Sequence, residues 1–121
     1  MTGETADAVT IFHNPACGTS RTVLGRIEAA GITPTIVLYL KTGWTKPQLQ
    51  SLLRAMKAHP RDILRRRGTP AEELGLLDAG VSDDAILDAM VAHPVLVERP
   101  IVQTRRGAKL CRPAETLTEL L

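Results

Sequence analysis

The alternation of apolar residues and turn formers over the first forty positions constrains this chain more than any other feature. Residues 8–12 (AVTIF) form a short apolar run closed by the turn-prone His13-Asn14-Pro15, the pattern of a buried strand. Val23, Leu24, Ile27 and Ala30 then recur at helical spacing, with Thr19 or Ser20 as the expected N-cap and Gly31 as the stop. Residues 35–40 (TIVLYL) make a second apolar run. A strand-helix-strand unit of this length gives parallel strands with a right-handed crossover. Cys17 therefore falls between a strand end and a helix start.

The middle of the chain changes character. Helices are expected over 46–58, 60–67, 70–76 and 82–93, with Thr45 before Pro47 and Ser82 before Asp83-Asp84 as good helix starts. Strand patterns return at 95–97, at 101–104 and at 108–111, the last two forming a hairpin about Arg105-Arg106-Gly107. Pro113 opens a final helix, 114–121, whose Leu117, Leu120 and Leu121 are expected to pack on the sheet. This order predicts an α/β chain of thioredoxin-like fold. It has a small mixed four-stranded sheet flanked by helices, with a helical insertion between the second and third core strands. At 121 residues a single domain is expected, with the polar residues 1–7 frayed.

Composition narrows the function classes. Apolar residues make up 44% and charged residues 23%, the balance of a packed chain rather than a disordered one. The only aromatics are Phe12, Tyr39 and Trp44, so the core rests on aliphatic side chains, and stacking platforms for bases are not expected. A net charge of +2 is too small for a general polyanion binder, which leaves room for a local anion site. No run has the length of a membrane span or the layout of a signal peptide. Two cysteines, Cys17 and Cys111, make neither a disulfide framework nor a zinc site, so a reducing, cytoplasmic setting is expected, without metal, membrane or nucleic-acid partner.

Cys17 carries the chemistry. Unpaired amides and the positive end of the helix dipole, at a helix start, stabilise both a thiolate and a bound anion. Gly18 permits close backbone approach, while Thr19 and Ser20 add hydroxyl donors; His13 offers a positive charge or a hydrogen bond nearby. Cys111 immediately precedes Arg112, so on a strand their side chains face opposite ways, and Cys111 is expected to pack rather than react.

The string His13-Asn14-Pro15-Ala16-Cys17-Gly18-Thr19-Ser20-Arg21 resembles the signature of the glutaredoxin-coupled arsenate reductases. Residues 34–40 look like that family's second strand, Arg99-Pro100-Ile101-Val102 like its third, and Leu110-Cys111-Arg112-Pro113 like the segment entering its last helix. The resemblance implies that Cys17 attacks arsenic, that Arg65, Arg99 and Arg112 hold the oxyanion, and that Pro100 follows a cis peptide bond. It also implies that arsenate is reduced to arsenite through a covalent Cys17–arsenic intermediate. An external thiol, glutathione with glutaredoxin, then resolves it, and no cofactor is bound. Read without the resemblance, Arg65 merely opens the run Arg65-Arg66-Arg67 of a solvated helix end, and Arg99 and Arg112 are surface arginines before prolines.

Three other readings compete. Thioredoxin-coupled reductases place an arginine six residues after the cysteine, whereas Arg21 follows Cys17 by four. Spx-type regulators bind RNA polymerase and use a two-cysteine switch, and Ser20 occupies the second position. A related thiol oxidoreductase of another substrate is the third.

Overall fold

The structure, a computed structural model, describes residues 8–121; the expectation of a frayed 1–7 lies outside the described residues. Contacts sort the chain into two compact units, one comprising the chain up to Thr42 together with Arg99–Leu121, the other Gly43–Glu98.

The first unit holds the sheet. Strand β1 (Val9–Phe12) leads through the Cys17 loop into helix α1 (Gly18–Ala29), strand β2 (Thr35–Val37) and a short helix α2 (Tyr39–Thr42). Strands β3 (Ile101–Thr104) and β4 (Gly107–Leu110) form the hairpin, followed by a 3-10 helix at Ala114–Glu119. The order is β2-β1-β3-β4, with β1 parallel to β2 and antiparallel to β3, which is the mixed sheet expected. Val9 and Ile11 of β1, Val23 and Ile27 of α1, Val102, Cys111, Leu117 and Leu120 form one buried aliphatic cluster. Gly31, at φ +82°, takes the left-handed turn that ends α1, a conformation glycine adopts without steric cost.

Several boundaries differ from expectation. The run 35–40 divides after Val37, because Lys41 and Thr42 donate backbone bonds to the Leu38 carbonyl and turn the chain into α2. The last segment is a 3-10 helix rather than a full α-helix, and Leu121 is exposed while Leu117 and Leu120 are buried. Helix α1 begins before Thr19 and Ser20, so that Cys17 itself is the N-cap, without a side-chain capping bond.

The second unit is the insertion. Helix α3 (Lys46–Met56) starts at a capping box between Thr45 and Gln48, and helix α4 (Asp83–Ala92) at Ser82, whose Oγ accepts from the Ala85 amide. Leu49, Leu52 and Leu53 of α3 and Ile86, Leu87 and Met90 of α4 are buried, and Lys46 bridges Asp84 and Asp88 at 2.9 and 3.0 Å. The expected helix 60–67 is a single 3-10 turn, Pro60–Ile63, because Leu64 then extends to pair with Val97. The Arg65 amide donates to the Leu96 carbonyl and the Glu98 amide to the Ile63 carbonyl, which keeps both segments extended there. For the same reason 95–97 is not a sheet strand: Pro94–Leu96 is a 3-10 turn leading into that isolated bridge. Residues 70–76 are successive turns that bury Ala71 and Leu76 rather than a helix. No helix among the described residues is long and apolar enough to cross a membrane.

Candidate active site

Sheet register builds the site. Phe12, the last residue of β1, pairs with Ile101, and Ile101 pairs with Leu110, so one edge of the sheet gathers the end of β1, the start of β3 and the end of β4. The Cys111 amide extends this ladder by donating to the Pro100 carbonyl at 2.9 Å. Arg99 and Arg112, distant in sequence, are thereby brought together beside the loop that follows β1. Both Arg99–Pro100 and Arg112–Pro113 are cis peptide bonds, the second of which sequence reading had no signal to find.

The loop is held by its own polar groups. The Asn14 side chain accepts from the Ala16 amide at 2.9 Å, and the Cys17 amide donates to the Asn14 carbonyl at 3.0 Å. Ser20, fully buried, accepts from the Asn14 amide at 3.1 Å and lies 2.6 Å from Nδ1 of His13. Ser20 thus ties the loop down from inside the first helical turn. Burial first, and then the Arg21 charge, hold the His13 imidazole below its ordinary pKa, so at neutral pH it is an uncharged hydrogen-bonding partner of Ser20. Arg21 donates to the Pro15 carbonyl at 2.8 Å and braces the outer side of the loop. Asn14 and Arg21 carry this bracing, and the Asn-Pro pair was the only sequence signal for it.

At the centre stands the Cys17 sulfur. Burial pushes its thiol up, but the Ser20 backbone amide, then the Arg99 and Arg112 guanidiniums, outweigh that effect and hold it below the ordinary thiol pKa. Arg112 Nη1 donates to Cys17 Sγ at 3.5 Å and to the Arg99 carbonyl at 3.0 Å, so it points at the sulfur from a fixed position. Arg99 differs. Its Nε and Nη1 are buried and have no hydrogen-bond partner. Buried donors left unpaired cost about 1–3 kcal/mol each, so their placement beside the Cys17 sulfur suits an acceptor-rich anion. At Gly18 a Cβ would meet only Arg21 Nη2, at 3.7 Å, so the chain's own packing does not demand glycine there.

Arg65 belongs to the second unit, where Nη1 pairs with Glu98 Oε1 at 2.7 Å and Nε donates to the Arg67 carbonyl at 3.0 Å; it is not the solvated helix end that its sequence context suggests. Cys111 is fully buried in the aliphatic cluster, its thiol pushed up to about 11, chiefly by burial. Among the described residues no three His, Cys, Asp or Glu side chains gather as a metal site requires.

Arsenate reductase ArsI1 of Synechocystis sp. is 54% identical over 117 residues, covering 97% of this chain and 81% of the relative. The arsenate reductase of Rhizobium meliloti is 48% identical over 113 residues, covering 93% and 81%. Among solved structures, the arsenate reductase from Vibrio cholerae matches with a TM-score of 0.91 at 38% identity, over 96% of this chain and 99% of that one. The sequence model of the ArsC family matches residues 12–120, a stretch that takes in the Cys17 loop, the insertion and both arginine-proline pairs. With so much of its length inside that match, the chain belongs to the ArsC family.

Proposed function

We propose that this protein is an arsenate reductase with Cys17 as its nucleophile. The observation that carries the reading is the pairing of a thiol held below its ordinary pKa with two buried, unpartnered donor nitrogens of Arg99. Arsenate is a tetrahedral anion whose oxygens suit the two-pronged donation of guanidinium groups, here Arg99 and Arg112, with Arg65 as the third holder carried by the family resemblance. The same groups offset the charge that opposes attack by an anionic sulfur on an anionic substrate.

The Cys17 thiolate forms a bond to arsenic, and one arsenate hydroxyl leaves as water after taking up a proton. His13 and Ser20 keep the loop shape from which the Ser20 amide faces the sulfur, and Gly18 and Thr19 follow Cys17 in that loop's turn into the helix. A small thiol, glutathione, then attacks Cys17 Sγ. The sulfur–arsenic bond breaks with its electron pair staying on arsenic, so arsenic(V) becomes arsenic(III), and the thiol proton passes to the departing arsenite. Glutaredoxin clears the mixed disulfide by thiol exchange in a cytoplasmic, reducing setting. No step needs a bound cofactor or metal. An external thiol is required because Cys111, in the core, is unsuited to resolve the adduct.

The test is arsenite production by the purified protein with arsenate, glutathione and glutaredoxin, each omitted in turn. Turnover only with all three is expected. No arsenite from any thiol system would end this reading.

A further inference from the structure

Beside Gly18, the chain neighbour of Cys17, the first unit opens into a groove of about 880 Å3, within the size range of small-molecule sites. Helix α1 supplies Gly18, Arg21 and Arg26 to it, and the segment after β4 supplies Arg112 and Glu115. Of these only Arg112 is among the groups that hydrogen-bond or charge-couple to Cys17, so Arg21, Arg26 and Glu115 are not engaged by the sulfur. The contact between Arg26 and Glu115 is long, Nη2 to Oε2 at 3.7 Å, between side chains 45% and 72% exposed. Such a pair contributes little to stability and leaves most of the Arg26 donors available.

We infer that this groove seats the reducing thiol, a small peptide thiol with two carboxylates and one ammonium group. Arg26 and Arg21 receive the carboxylates and Glu115 the ammonium. The inference rests on the arsenate reductase reading above and adds to it where the reductant binds.

Charge and position support this occupant. With Arg112 engaged by Cys17 and arsenate, two guanidiniums, Arg21 and Arg26, face the single carboxylate of Glu115, the complement of a zwitterion with one excess negative charge, and guanidinium forks suit carboxylates. Glu115 disfavours simple anions and favours a ligand that brings its own cation. Two lining residues, Gly18 and Arg112, are the chain neighbour and the hydrogen-bond partner of Cys17, so the groove ends within one side chain of the sulfur that the thiol must attack. Gly18 keeps that passage free of a side chain, although the chain's own contacts would tolerate one. From this seat the thiol sulfur bonds to Cys17 Sγ as the sulfur–arsenic bond breaks. The two sulfurs are oxidised to the disulfide, and arsenic gains the electron pair.

The test combines kinetics with direct binding. In Arg26→Gln the KM for glutathione should rise about tenfold, the loss of one charge-assisted contact, while kcat, the KM for arsenate and the rate with uncharged dithiothreitol stay within twofold. Glu115→Gln should raise the glutathione KM by a smaller factor, and Arg26→Lys should recover part of the loss. Binding is read on the full-length Cys17→Ser protein titrated with S-methylglutathione, whose amide shifts should centre on Gly18, Arg21, Arg26 and Glu115. These shifts decide alone if Arg26→Gln fails to fold. A glutathione KM unchanged in both Arg26→Gln and Glu115→Gln, or shifts centred elsewhere, overturns the inference. Shifts at the groove in a protein that reduces no arsenate with any thiol would instead overturn the reductase reading and leave the seat standing.

Discussion

Around Cys17 the chain presents the Ser20 amide and two guanidiniums; around Cys111 it presents Val9, Ile11, Val23, Ile27, Val102, Leu117 and Leu120. Both sulfurs are largely out of solvent, Cys17 at 9% and Cys111 at 0% exposure, and burial raises the pKa of each. Only at Cys17 do donors more than offset it. The Cys111 sulfur has the Lys109 carbonyl at 3.8 Å, a weak contact that stabilises the protonated thiol rather than a thiolate. The lesson is that burial does not separate an activated thiol from a packing one; donors aimed at the anion do.

Replacing the sulfurs one at a time has the largest expected effect. Cys17→Ser should lower arsenate reduction by more than about a thousandfold, whereas Cys111→Ser should retain most of it, because only Cys17 can supply a thiolate. Steady-state assays with a search for a Cys17–Cys111 disulfide decide it. An equally dead Cys111→Ser protein, together with a Cys17–Cys111 disulfide that accumulates in the parent during turnover, would erase the distinction.

The donors come next. Arg99→Lys and Arg112→Lys keep the charge but lose the fork, and losing two bonds to a charged group at about 1.5–3 kcal/mol each costs roughly a hundredfold or more in rate. Arg65→Lys should behave similarly if it is the third holder, while Arg105→Lys, at the hairpin tip, should be nearly silent. Rates for all four variants, with arsenate protection of Cys17 from alkylation, measure this; a parent-like Arg99→Lys would remove the anion seat.

Thiol titration sharpens the contrast further. The pH midpoint for Cys17 alkylation in a Cys111→Ser background should lie below about 8.5, the ordinary thiol value, and should rise in Arg112→Gln. An ordinary midpoint in the parent background would leave Cys17 without its activation. Ser20→Ala removes the acceptor of the Asn14 amide, an effect of about 1–3 kcal/mol on stability, and chemical denaturation should show a larger loss than for Thr19→Ala.

The smallest effect concerns Cys111 and pH. Its thiol ionises more easily in the unfolded chain than in the folded one, so its share of stability is whole below the ordinary thiol range. That share is lost as pH climbs through about 11. Cys111→Val should therefore lose less stability than the parent between neutral pH and about pH 10. Parallel denaturation curves over that range would contradict the raised value.

Reading the sequence succeeded where the signal was local. The alternation across β1, the spacing of Val23 and Ile27, and the hydroxyl caps at Thr45 and Ser82 all reappear in the structure. It failed where two segments compete for the same backbone groups: 60–67 and 95–97 gave up regular structure to bond each other through Leu64, Arg65, Val97 and Glu98. Ser20 shows the same limit within one loop. By composition it reads as a cap, yet its hydroxyl takes the Asn14 amide and the His13 ring, and Cys17 caps the helix instead.

By itself, then, the sequence determined that a strand would hand the chain to a helix at Cys17, because periodicity and turn chemistry act over a few neighbouring residues. Tertiary structure alone decided that Arg99 and Arg112 face that sulfur, that two Arg99 donors stay unpaired, and that Cys111 lies in the core. Those outcomes depend on the register of β1, β3 and β4. Register brings distant positions to one sheet edge, and pKa values follow from the donors and the solvent exclusion that this edge creates, neither of which a local pattern contains.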